Sequence, residues 1–243
     1  IRANRNSTVN LKETDQQYQI YGDIIAGRGI EHTDKGGQVD IGGSGSIIKG
    51  DVLAGNTGEI NLSLKDGALL EGRVDDYADA SIKDNIVFRP DEFEIPVTEG
   101  GTVNMKINDS TWIARHQSFV SSLEFGSDGG LVDMTKEENS SITIDNLSGN
   151  GKFKMLLDAA NKGSSDMLFV TNDISGQQTI EVQWKKGTNG INDLEEGERL
   201  RFSTTNDAQQ NTITARSQDK GFFNIEYLTD TDDYDAAGEK TEN

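Results

Sequence analysis

The chain has 243 residues, a formal net charge of −19, 27 Gly, two Pro and no Cys. The lack of Cys excludes a disulfide framework and thiolate metal sites, and the acidic surface argues against nucleic acid as a partner because it repels a phosphate backbone. No run approaches the roughly 18 apolar residues of a membrane-spanning helix, while 33% apolar residues suit a narrow, continuous core.

The chain opens at Ile1 in mid-pattern, without an initiating Met or a signal peptide, so it reads as a fragment whose export signal or anchor lies elsewhere. Reading onward, Asn6-Ser7-Thr8-Val9-Asn10-Leu11 returns as Gly36-Gly37-Gln38-Val39-Asp40-Ile41 and Thr57-Gly58-Glu59-Ile60-Asn61-Leu62. A second phrase, Tyr21-Gly22-Asp23-Ile24, keeps step as Lys49-Gly50-Asp51-Val52 and Glu71-Gly72-Arg73-Val74. An acidic stretch from Asp75 to Pro96 reads as an insertion. The first phrase then resumes at Gly100-Gly101-Thr102-Val103-Asn104-Met105 and at Gly129-Gly130-Leu131-Val132-Asp133-Met134. Val9 to Val39 is 30 residues, Val39 to Ile60 is 21 and Val103 to Val132 is 29, while Ile60 to Val103 is 43, close to twice the shorter period.

Within each phrase apolar and polar residues alternate, the period of a strand with one buried face. Gly, Asn and Asp fill the breaks, where tight or left-handed turns are needed. Strand and turn at a period of about 20–30 residues predict an all-β, right-handed parallel β-helix, in which each turn buries its apolar face only by stacking on the next. Val9, Val39, Ile60, Val103 and Val132 are predicted to share one interior column. An antiparallel sandwich is the alternative, but it does not require one phrase to return in order. Helical spacing is scarce: Met155 to Ala160 is the best candidate for a helical turn, and it is short.

From Ser141 the sequence reads Ile142-Thr143-Ile144-Asp145-Asn146-Leu147-Ser148-Gly149-Asn150-Gly151-Lys152-Phe153, then Ser165-Asp166-Met167-Leu168-Phe169-Val170, then Ser175-Gly176-Gln177-Gln178-Thr179-Ile180-Glu181-Val182. These three phrases, in this order, resemble pertactin-like autotransporter passengers, closely from Ser141 to Val182 and more loosely to Leu228. The family's usual His is Gln178 here, a departure of little consequence if that position is exposed. The resemblance implies a passenger exported through the inner membrane and carried across the outer membrane by its own C-terminal β-barrel, to act at the bacterial surface as an adhesin or self-association factor. That covalently linked barrel is absent from this chain. The resemblance also implies an autochaperone motif, carried here by Leu147, Gly149, Gly151, Phe153, Asp166, Leu168, Val170, Gly176, Ile180 and Val182. Its partners would be a host surface or neighbouring bacterial cells, through a protein or glycan ligand the sequence does not name.

The expected organisation is a β-helix stem over residues 1–139, with the insertion at about 75–96, and a β-rich C-terminal cap of autochaperone character over residues 140–243 with an acidic tail. Phe153, Leu156, Leu168, Phe169, Trp184, Leu200, Phe202, Phe222, Phe223 and Tyr227 enrich that cap in bulky side chains, as a folding nucleus requires. No catalytic, cofactor or metal residues are assigned. His32 and His116 stand far apart, outside any metal spacing, and Gly27-Arg28-Gly29 and Gly42-Gly43-Ser44-Gly45 lack the Lys-Ser/Thr ending of a phosphate loop. Asp75, Asp76 and Asp79, with Asp230 and Asp232, are the carboxylates a rival reading as a polysaccharide-cleaving β-helix would use. Ser127 to Gly130 and Asp230 to Asp235 are oxygen-rich loops read as solvated turns rather than calcium sites. A purely structural stalk for an absent N-terminal domain is the other rival.

Overall fold

A computed structural model describes residues 1–4, 6–11, 17–27, 36–77, 100–194, 200–205, 213–217 and 221–222. The chain winds through three sheets in turn. A four-stranded side sheet holds Arg2–Asn4, Ile24–Gly27, Val52–Ala54 and Val74–Asp75. An eight-stranded sheet holds Thr8–Leu11, Gln38–Ser44, Glu59–Lys65, Thr102–Asn108, Gln117–Phe125, Ser141–Ser148, Met167–Ile174 and Ser203–Thr205. A nine-stranded sheet holds Gln19–Tyr21, Ile47–Lys49, Leu69–Gly72, Thr111–Ala114, Leu131–Asp133, Gly151–Leu157, Gln178–Trp184, Ile213–Ser217 and Gly221–Phe222. Neighbours pair in parallel, and among the described strands only Ile213–Ser217 with Gly221–Phe222 runs antiparallel. Apart from that hairpin, each described strand bonds to the strand one turn of chain away, the connectivity of a parallel β-helix, and the antiparallel sandwich is set aside.

Alternation drives the winding. In Glu59–Lys65, Ile60, Leu62 and Leu64 are buried while the residues between them face outward. The main interior cluster runs continuously from Ala3 to Ala215, and Ile25, Leu53 and Tyr77 form a second, small one.

The register places Val9, Val39, Ile60 and Val103 side by side in the eight-stranded sheet. Val132 departs from the expected column: it lies in the nine-stranded sheet, between Trp112 and Phe153. The reason lies in what the Gly-Gly phrase encodes. A Cβ on Gly37 or Gly58 would lie 2.1 or 2.2 Å from a carbonyl oxygen of the preceding rung, that of Ala3 or Ala26, so those glycines allow close backbone stacking at one corner. Gly130 instead sits at the next corner, against the Ile107 side chain. The phrase specifies a turn and a period of two, which any side of the coil can use. Within the eight-stranded sheet a longer column lies two residues further along the phrase: Leu11, Ile41, Leu62, Met105, Leu123, Leu147 and Ile174. Ile60 and Val103 are also direct neighbours, so the 43-residue interval is one rung with an insertion and not two rungs.

The second phrase builds a corner. The Asp23 carboxylate accepts the Asp51 N–H at 2.9 Å, and the Asp51 carboxylate accepts the Arg73 N–H at 2.9 Å. Arg73 ends this ladder with its guanidinium 3.6 Å from both Asp51 and Asp75. Among the described residues the side sheet ends at Asp75. The nine-residue strand Gln117–Phe125 begins against its end, where the Val74 N–H donates to Ser118 Oγ at 3.2 Å.

Candidate functional site

Residues 141–182, which carry the family-like phrases, form two successive rungs. Leu147, Phe153, Leu168, Val170, Ile180 and Val182 are all buried and point inward. Leu168 pairs with Ile142, Val170 with Ile144, Ile180 with Phe153 and Val182 with Met155. Phe153 meets Phe125 of the preceding rung edge-to-face, with centroids 5.7 Å apart and planes at 89°, a geometry that adds about 1 kcal/mol to the area both rings bury. Met155 to Leu157 belong to the strand Gly151–Leu157 rather than to a helical turn, because their neighbours pair on both sides.

Gly149 and Gly176 turn the chain between the two large sheets with φ of +82° and +81°, a region open to glycine without penalty. They also stack: a Cβ on Gly149 would lie 2.0 Å from the Phe125 carbonyl oxygen, and one on Gly176 would lie 2.0 Å from that of Gly149. Gly151 faces the Phe125 ring just as closely. Gln178 is fully buried, so its departure from His bears on packing. Its Nε2 donates to the Gly149 carbonyl at 2.8 Å and to the Ser175 carbonyl at 3.2 Å. What the turn requires here is a nitrogen donor for carbonyls cut off from water, and an amide or an imidazole supplies one.

Asp166 is fully buried before the strand Met167–Ile174. One carboxylate oxygen accepts the Ser140 N–H at 2.8 Å and the other the Leu156 N–H at 2.7 Å. Burial pushes its pKa up to about 7, against the lowering effect of those two bonds and with a further push from Asp133.

The carboxylates weighed for catalysis are structural where they are described. Asp75 is fully buried beside Arg73 and accepts the Tyr77 N–H at 2.8 Å. Asp76 is 3% exposed, accepts the Ser121 hydroxyl, and holds the Gly101 N–H on its carbonyl at 2.6 Å. Asp79, the rest of the insertion to Pro96, His32, Arg28, Gly29, Phe223, Tyr227 and the acidic residues 230–235 lie outside the described residues, as does the side chain of Phe222. His116 sits exposed in a tight turn, with Nδ1 3.0 Å from the Glu137 carboxylate. In the Ser127 to Gly130 loop, the Asp128 carboxylate accepts the Asn108 amide at 2.9 Å. Among the described residues no group of three His, Asp or Glu is placed to hold a metal ion, and no helix is long and apolar enough to cross a membrane.

The outer face of the eight-stranded sheet carries a feature that the repeat contains and sequence reading passes over. Its Asn/Asp position forms the outward row Asn10, Asp40, Asn61, Asn104, Ser122 and Asn146. Asn61 Nδ2 donates to Asp40 at 2.8 Å, and Asn104 Nδ2 to Asn61 at 3.0 Å. On the same face a shallow groove is lined by Ser63, Lys65, Lys106, Asn108 and Glu124. The face offers flat, polar, hydrogen-bonding surface along the coil axis.

A solenoid of parallel rungs, sealed inside and polar along its flank, defines the class as a parallel β-helix. A model of the family described as Pertactin matches residues 117–220. Over that stretch the chain is pertactin-like, and the match begins one rung ahead of the phrases that first suggested it. None of the curated proteins and none of the solved structures matches the chain.

Proposed function

We propose that this chain is the C-terminal passenger segment of a Gram-negative autotransporter. In this reading it is secreted across the outer membrane to the cell surface and serves there as an adhesin or self-association factor. Residues 140–243 act as the autochaperone cap on which the stem over residues 1–139 folds. The observation that carries the reading is a pair of consecutive rungs inside the matched segment, residues 141–184, whose strands are long in both large sheets, whereas in every earlier described rung the strand of the nine-stranded sheet has three or four residues. The first rung is built from strands of three, four and three residues. Gln117–Phe125, Ser141–Ser148, Gly151–Leu157, Met167–Ile174 and Gln178–Trp184 have nine, eight, seven, eight and seven. Longer strands make more ladder bonds and bury more area per rung, and a solenoid propagates from its most stable end. The polar outer face and the groove beside Lys65 supply the binding surface, spread along the flank rather than gathered in a pocket.

Refolding kinetics test the folding role. Ile180→Val and Phe153→Leu are expected to slow refolding in proportion to the stability they remove, whereas Ile41→Val and Ile60→Val speed unfolding and leave refolding unchanged. The opposite assignment overturns the cap as nucleus. Beads coated with the purified chain test adhesion: binding to host cells, or bead clumping, supports it, and inert beads refute it. The non-enzymatic reading is supported by the burial of Asp75 and Asp76. Cleavage of acidic polysaccharides that is lost in Asp75→Asn overturns it.

A further inference from the structure

The outer face of the eight-stranded sheet is periodic, and its period is that of the coil. One outward side chain follows another at each rung, about 4.8 Å apart. Asp40, Asn61, Asn104 and Ser122 form one row, Ser63, Lys106 and Glu124 the next, and Lys65 and Asn108 a third. The first row is braced by its own bonds. Asn61 Nδ2 donates to Asp40 at 2.8 Å and to Glu59 at 2.7 Å, and Gln38 Nε2 donates to Asp40 at 3.2 Å. The groups beside it are open. Among the described residues Asn104 Oδ1, the Ser63 hydroxyl and the Lys65 ammonium have no protein partner. Lys106 and Glu124 offset each other's charge at 2.6 Å. Ser63, Lys65, Lys106 and Glu124 line a groove of about 480 Å³, a volume usual for a small-molecule site.

We propose that this face binds a neutral polysaccharide laid along the coil axis, with successive sugar units meeting successive rungs. The proposal rests on the reading of the chain as an adhesin and names the class of its ligand. A sugar hydroxyl both donates and accepts a hydrogen bond. The face answers with a donor at Lys65, acceptors at Glu124 and Asn104, and a group of both kinds at Ser63. A translational repeat on the protein suits a ligand with a repeat of its own, and one unit of an extended β-linked polysaccharide is close to one rung in length. Polyanions are disfavoured by the net charge of −19. A peptide finds no open edge to join as a further strand, because the backbone groups of these strands bond to the neighbouring rungs. The braced row also loses little freedom when a ligand settles on it, which favours binding by a flat surface.

Calorimetric titration of the whole chain tests this with cellohexaose, xylohexaose, mannohexaose and chitohexaose, with the matching disaccharides, and with a hyaluronan hexasaccharide as the acidic probe. At least one neutral hexasaccharide is expected to bind, and to do so at least about tenfold more tightly than its disaccharide, because it engages more rungs at once. Lys65→Met and Ser63→Val, on the outward side of the strand Glu59–Lys65, are each expected to weaken that binding about two- to tenfold. Lys152→Met removes the same charge from the outer face of the nine-stranded sheet and should leave binding unchanged. Four silent neutral hexasaccharides, a disaccharide that binds as tightly as its hexasaccharide, binding confined to hyaluronan, or an equal loss in Lys152→Met each overturn the proposal. If beads coated with the chain still hold host cells or clump, the adhesin reading stands without this ligand, whereas inert beads refute both.

Discussion

Gly176→Ala probes the stacking that sets the pitch of the terminal rungs. Gly176 has φ +81°, so an alanine there carries left-handed strain of about 1–2 kcal/mol. Its Cβ would also lie 2.0 Å from the Gly149 carbonyl oxygen, where ordinary contact begins at 3.4 Å. The two turns must then move apart, at about 1–3 kcal/mol for overpacking. The same Gly149 carbonyl accepts Gln178 Nε2 at 2.8 Å, and disturbing that bond adds about 1 kcal/mol. The expected loss is about 3–6 kcal/mol. Gly67→Ala is the matched control, because Gly67 has φ +79° and nothing within 4 Å of its would-be Cβ; it should cost only the strain, about 1–2 kcal/mol. Urea unfolding of both variants, followed by far-UV circular dichroism, measures the difference. Equal losses would show that backbone handedness alone matters and that the stacked carbonyls do not.

Three further outcomes follow from the same coordinates. Phe153→Ala empties a fully buried site and removes the edge-to-face contact with Phe125, so about 3–5 kcal/mol is lost in urea titration, while Phe153→Leu keeps most of the volume and loses clearly less. Arg73→Met leaves Asp51 and the fully buried Asp75 without their shared guanidinium; it should cost about 3–5 kcal/mol in urea titration. Ser140→Ala removes a hydroxyl that is buried without a hydrogen-bond partner and keeps the N–H that Asp166 holds. Thermal melting is therefore expected to show no loss, and at most a gain of about 1 kcal/mol.

The C-terminal rungs pack as the rest of the coil does. Leu147, Phe153, Leu168, Val170, Ile180 and Val182 join the same interior cluster that contains Ile41 and Ile60. Their distinction lies in strand length, in the aromatic pair and in the turns at Gly149 and Gly176. The strands pair across the 139/140 boundary as regularly as on either side of it, with Gln117 opposite Ser141 and Ser141 opposite Met167. A nucleus at one end of such a coil passes its order on through rung-to-rung register and needs no separate domain to do so.

The amino-acid sequence by itself determined the strands, their inward faces and the parallel winding. Alternation and a returning phrase are local patterns, and stacking is the one arrangement that buries every copy of them. It also carried the family-like rungs, since their glycines and apolar positions stand at readable spacings. The side of the coil each copy occupies was decided only in three dimensions. Val132 repeats the pattern of Val103 yet lies in another sheet, because the strand Gln117–Phe125 fills the neighbouring place without the phrase. Gln178 and Asp166 show the same division. Their identities are plain in the chain, but their burial, and with it their roles as turn donor and as acceptor of two backbone N–H groups, depends on rungs some 25 residues away closing over them. Periodicity tells which way a residue points along its own strand, and only the assembled coil decides what covers it.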